Sequence, residues 1–228
     1  MGRQSAATGR SQFAFLSALT ADARIDWSRV ELFHLDEYIG LPKDHPASFR
    51  RYIQHRVIQP TGIQCAYLLD GADPSASCAQ AGAALSAATV DVLMAEIGEN
   101  AHLAFNDPPA DFDTDEPYIT VELDDRNRLQ QVRDGWFGAL QDVPRRAITM
   151  SIRQILKART ILCLAPGAHK AEAVRASLSG EIGPMVPASA LRLHHAAVLY
   201  LDKDSAQHAM QEEVVDVPDS SHRPNWRK

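Results

Sequence analysis

The stretch Val30-Glu-Leu-Phe-His-Leu-Asp-Glu-Tyr-Ile-Gly-Leu-Pro42 decides the fold. Val30–Leu35 is a short, mostly apolar run, cut off by two carboxylates, a glycine and a proline. A run of this kind, without strict polar alternation, suits a strand covered on both faces, as in a parallel sheet. Similar runs recur at Ala66–Leu69, Val90–Ala95, Tyr118–Leu123, Ala147–Met150, Thr160–Ala165 and Ala196–Leu201. Helical spacing fills the gaps, near Ser11–Asp22, Ala47–Val57, Ser75–Ala88, Ser151–Ala158, Lys170–Ser179 and Ala188–Leu193. Alternation of this kind predicts an α/β fold with a largely parallel sheet flanked by helices on both faces.

The remaining composition sets bounds. The chain has 228 residues, 45% hydrophobic and 23% charged, an ordinary globular balance, and one domain over residues 1–215 is expected, followed by a polar tail at 216–228. A net charge of −6 argues against a nucleic-acid partner, since no basic stripe is present to meet a phosphate backbone. It does not exclude a small anion in a locally positive pocket. No apolar stretch approaches the roughly 20 residues of a membrane span. Cys65, Cys78 and Cys163 form no metal spacing, so neither a metal nor a disulfide scaffold is expected, and a reducing cytoplasmic setting fits. Arg3 and Arg10, the apolar Phe13–Leu19 and Ala21-Asp-Ala23 imitate a signal peptide, but Phe13, Leu16 and Leu19 also share one face of an amphipathic helix, the favoured reading. Homo-oligomerisation is left open.

Ligands of such folds bind beyond the carboxyl ends of strands, where loops meet helix starts. Four loops qualify: Thr8-Gly-Arg-Ser11, Asp36–Pro42, Gly98-Glu-Asn-Ala-His-Leu-Ala-Phe-Asn-Asp-Pro108 and Gly167-Ala-His-Lys170. In the second, Asp36 or Glu37 could be a general base, or could simply solvate a turn or cap a helix. In the third, Asp107 could orient His102 for proton transfer, with Asn100 and Asn106 close in sequence.

Two of these loops, Phe33-His-Leu-Asp-Glu-Tyr-Ile-Gly-Leu-Pro-Lys-Asp-His-Pro46 and Gly98–Pro108, resemble the glucosamine-6-phosphate deaminase (isomerase) family. The resemblance extends to Thr8–Ser11, Gly167–Lys170 and Pro187-Ala-Ser-Ala-Leu-Arg-Leu-His194. It implies a Rossmann-like domain that needs no cofactor and acts on a small sugar phosphate. Asp36 would match the base that moves a proton between C2 and C1 of the open-chain amino sugar, and His102 the base that opens the ring. Asp107 would match the acidic partner of that histidine, usually Glu in relatives. Asn100 would be an orienting group. Gly9, Ser11 and Lys170 would meet the phosphate, with either Arg128 or Arg133.

This chain departs from the family at three places. Relatives have Gly-x-Gly where Glu96-Ile-Gly98 stands, and Gly at the position of Ala101. They also have a helix and a full strand ahead of the glycine loop, whereas only Met1–Ala7 precedes Thr8, so the first helix and part of the first strand are expected to be missing. Two other readings remain: a related 6-phosphogluconolactonase-type hydrolase, and a weak or silent sugar-phosphate-binding module. The fold also serves as the effector domain of some repressors, but without a helix-turn-helix segment a complete DNA-binding regulator is excluded.

Overall fold

Val30–His34 does form a strand, and it lies next to the centre of a parallel sheet. The computed structural model describes residues 2–6 and 12–209. Its main sheet consists of β1 (Gly2–Ala6), β2 (Val30–His34), β4 (Cys65–Tyr67), β5 (Val92–Glu96), β8 (Thr160–Leu164) and β9 (Ala197–Tyr200). Their order is β4-β2-β1-β5-β8-β9, and every pairing is parallel.

Alternate residues of β2 feed two cores. Val30 and Leu32 join Leu16, Tyr52, Ile53 and Met94, while Phe33 joins Leu85, Leu93, Ile161 and Cys163. Burial on both faces is why the run reads as nearly continuous. Helices cover both faces. On the first side lie α1 (Phe13–Thr20) and α2 (Phe49–Ile53), the latter continued by a π turn over Gln54–Ile58 and the short α3 (Gln59–Thr61). On the other side α4 (Pro74–Ser86), α6 (Ile152–Leu156) and α7 (Ala171–Ser179) supply Ala81, Ile155 and Val174. The amphipathic reading of the N-terminal segment fits this placement: Leu16 is buried and Phe13 stacks on Tyr52.

Two expectations are corrected and one element is added. Gly2–Ala6, expected to hold only part of the first strand, is the central β1, registered from Gly2↔Val30 to Ala6↔His34 on one side and Gln4↔Val92 to Ala6↔Met94 on the other. The runs at Tyr118 and Ala147 leave the parallel sheet. As β6 (Tyr118–Glu122) and β7 (Arg146–Met150), they form an antiparallel sheet with β3 (Asp36–Tyr38), in the order β3-β7-β6. Lastly, an unexpected helix, α5 (Asp125–Arg133), follows β6. Among the described residues no helix is long and apolar enough to cross a membrane. Thr8, Gly9, Ser11 and the 216–228 tail lie outside the described residues.

Candidate active site

From β1 the chain builds outward through β2 to β4, then returns to β5 on the opposite flank and continues to β8 and β9. The order therefore reverses between β1 and β5, and a crevice is expected beyond their carboxyl ends. The β2–β3 corner, the segment after β5 and the segment after β8 all arrive at this edge.

The segment after β5 is a tight loop. Gly98 N–H donates to the His102 carbonyl at 3.0 Å, and Ala101 N–H donates to the Gly98 carbonyl at 3.0 Å. Closing it requires positive φ at Ala101 (64°) and Ala104 (55°), where a Cβ is strained. Gly98 lies directly under the imidazole: a Cβ there would stand 2.1–2.3 Å from three His102 ring atoms.

Above it, His102 Nδ1 is 2.6 Å from Asn100 Oδ1 and 3.3 Å from Asp107 Oδ1. The Asn100 amide donates to Asp107 Oδ1 at 3.0 Å, which fixes which way the amide faces. Nδ1 thus meets two acceptors and carries the proton, so in the neutral ring the basic lone pair is on Nε2. Asp107 also accepts from Asn127 Nδ2 at 2.9 and 3.1 Å and from Asp124 N–H at 2.9 Å. Burial opposes its ionisation, but the bonds from His102, Asn100 and Asp124 outweigh it and hold the carboxyl below the usual range.

The two carboxylates after β2 divide the readings left open by the sequence. Glu37 supports the start of α2 beside its N-cap Ser48: it accepts from Ser48 Oγ at 2.9 Å and from the N–H groups of Phe49 and Arg50 at 3.3 and 2.7 Å. Asp36 is 5% exposed, and its Oδ1 has no hydrogen-bond partner among the described residues. Burial pushes its carboxyl well above the usual carboxylate range, with repulsion from Glu96 and Glu37 adding to the shift. Neighbouring His34 is no rival base, because burial, then Arg50, holds its pKa down to about 3.

Lys170 is buried at the turn into α7, and its Nζ stands 3.6 Å from Glu96 Oε2 at the end of β5. The two candidate arginines differ. Arg133 pairs with Glu99 of the histidine loop. Arg128 is buried, and its guanidinium donates to Asp125 and to the carbonyls of Leu140 and Val143, which ties α5 to the following turn, while its Nε has no partner among the described residues.

Sequence reasoning missed Asn127, Gln130 and Thr149. Asn127 holds Asp107; Gln130 Oε1 accepts from Glu99 N–H at 3.0 Å; Thr149 Oγ1 accepts from Phe105 N–H at 3.1 Å. Asn106 joins this scaffold, donating to the carbonyls of Leu103 and Met150. The first two sit on α5, whose polar sequence carries no apolar stripe to signal a buried face.

The chain is similar to known proteins over most of its length. The family model for glucosamine-6-phosphate isomerases/6-phosphogluconolactonase matches residues 7–201. A glucosamine-6-phosphate deaminase of Streptomyces coelicolor is 33% identical over 97% of this chain and 86% of its own length. One from Thermoanaerobacter sp. is 30% identical over 95% and 86%. A solved monomeric glucosamine-6-phosphate deaminase matches with a TM-score of 0.80 at 30% identity, covering 91% of this chain and 88% of that one. A 6-phosphogluconolactonase from Trypanosoma brucei shares the fold, with a TM-score of 0.73 at 17% identity over 90% and 85%.

Proposed function

The chain belongs to the glucosamine-6-phosphate isomerase/6-phosphogluconolactonase family, and on that premise we propose that it converts glucosamine 6-phosphate and water to fructose 6-phosphate and ammonia. Asp36 takes the C2 proton of the open-chain sugar to give an enolamine and returns a proton at C1. Water then hydrolyses the resulting imine and ammonia leaves. His102, with its proton held on Nδ1, uses Nε2 to assist ring opening, while Asn100 and Asp107 orient the ring. Lys170 and Arg133, with Gly9 and Ser11 from the glycine loop, hold the phosphate, whose binding energy orients the reacting carbons. The compartment is proposed to be the cytoplasm.

The observation that carries this reading is Asp36: a buried carboxyl at a strand's carboxyl end, with proton affinity raised toward what a C2 base requires. The test is direct. The chain is incubated with glucosamine 6-phosphate while ammonia and fructose 6-phosphate are both measured. Asp36→Asn is expected to lower the rate by about 10²–10⁴-fold, the usual contribution of a positioned base. Undiminished turnover in that variant would remove Asp36 from the chemistry. Glu96 beside Lys170 favours a second reading, a sugar-phosphate binder without turnover, which predicts binding and no ammonia.

A further inference from the structure

Glu96 has a position that nothing in the proposed chemistry explains. It closes β5 just ahead of the histidine loop, registered against Leu164 of β8. Its carboxylate reaches the Lys170 ammonium at 3.6 Å, with the two side chains only 17% and 4% exposed. It also acts on Asp36 through space. One carboxylate therefore lies within reach of both the proposed phosphate anchor and the proposed base. A surface pair of this type would carry little information, but in this sheltered position two anions cannot use one ammonium without strong repulsion.

We propose that Glu96 sets the affinity of the site for its anion, as a tethered carboxylate that competes with the substrate's phosphate for Lys170. The proposal rests on the reading of Lys170 as phosphate anchor. Glu96, 3.6 Å away, offsets the charge of the buried lysine. An arriving phosphate must draw the ammonium away or share it against a like charge, so anions are bound more weakly than the lysine alone would allow. A purely structural pair would behave differently, since removing Glu96 would then destabilise the fold without any gain in anion affinity.

Titration calorimetry of the full chain with inorganic phosphate separates these. Glu96→Gln keeps the shape and removes the charge, and is expected to bind phosphate about tenfold more tightly, with KM for glucosamine 6-phosphate falling by a similar factor. Glu96→Asp withdraws the charge by one methylene and should fall between the two. Glu172→Gln, an exposed α7 position paired with Arg175, changes the net charge equally and should leave phosphate affinity as it was. In a Lys170→Met background, Glu96→Gln should bring no gain. The proposal is overturned if folded Glu96→Gln binds phosphate no more tightly than the wild type, or if Glu172→Gln gains as much. Should Glu96→Gln fail to fold, unchanged affinity in Glu96→Asp overturns it equally. Ammonia release by the wild-type chain decides the deaminase reading separately: tighter phosphate binding without turnover leaves Glu96 in its role and removes the activity, and turnover without tighter binding does the reverse.

Discussion

The His102 loop and the Asp36 corner lie at the same edge of the sheet and treat buried charge in opposite ways. Around His102 the charge is satisfied. Asp107 collects bonds from His102, Asn100, Asn127 and the Asp124 backbone, and its proton affinity falls. At the Asp36 corner the carboxyl is buried with one oxygen unpartnered among the described residues and two carboxylates acting on it, and its proton affinity rises. The contrast suits a division of labour. A network with its acceptors filled holds a ring in one tautomer and orientation, whereas a buried acid whose proton affinity is raised is suited to taking up a proton.

The largest way to break the comparison is to spoil the satisfied side. Gly98→Ala places a methyl 2.1–2.3 Å from the imidazole, and the ring has to leave Asn100 and Asp107. Displacement of about 1 Å in a catalytic group costs on the order of 100-fold in rate. Steady-state turnover of glucosamine 6-phosphate should fall by that amount. Full activity in this variant would mean that the ring's present position is immaterial.

A pH series on stability sharpens the contrast, because the two carboxylates carry opposite signs. Asp107 has its pKa lowered by folding, so it contributes stability above the unfolded value of 3.8, lost as pH falls through the folded value. Asp107→Asn should therefore destabilise the protein at neutral pH, with the deficit shrinking in acid. Asp36 has its pKa raised, so folding is most favoured below the unfolded value of 3.8 and loses that advantage as pH rises through the folded one. Asp36→Asn should accordingly raise Tm at neutral pH and lose the gain in acid. Thermal unfolding of both variants from pH 3 to 8 measures this, and parallel curves would show that the two sites are electrostatically alike.

How much of this was legible from the sequence follows from what buries each element. β2 was legible because Val30, Leu32 and Phe33 are buried by apolar contact on both faces. β1 was not: Gly2-Arg-Gln-Ser-Ala6 contains almost nothing apolar. Its place is held by backbone pairing on both sides and by Arg3, tied to Glu31 and to the Ala84 and Ala88 carbonyls. The runs at Tyr118 and Ala147 were legible as strands, but not their sheet, since its third strand, paired with β7, begins with Asp36 and Glu37 and reads as a loop. α5 failed for a related reason. It buries Asn127, Arg128, Gln130 and Gln131 through hydrogen bonds, which leave no hydrophobic period to read. The candidate site residues were legible as candidates because loops at strand ends concentrate polar types. The partners that hold them, Asn127, Gln130 and Thr149, come from elements whose position only the tertiary fold supplies.

The smallest test bears on one of the two places where the satisfied loop is itself strained. Ala101 is held at φ 64° from both sides: its N–H donates to the Gly98 carbonyl at 3.0 Å and its carbonyl accepts from Ala188 N–H at 2.9 Å. The left-handed region costs a Cβ about 1–2 kcal/mol, which Ala101→Gly would release. Against this stand the buried methyl, worth about 0.8 kcal/mol, and the freer unfolded chain, worth about 0.4–1 kcal/mol. The contributions nearly cancel, so the variant should unfold close to the wild-type urea midpoint. Ala173, equally buried in the same core but helical, has no strain to release. Its change to Gly adds a helix penalty of about 1 kcal/mol to the lost methyl. Ala173→Gly should therefore cost about 2 kcal/mol where Ala101→Gly costs almost nothing. Equal losses at the two positions would mean that the loop carries its left-handed alanine without strain, and that its rigidity comes from the Asp107 network alone.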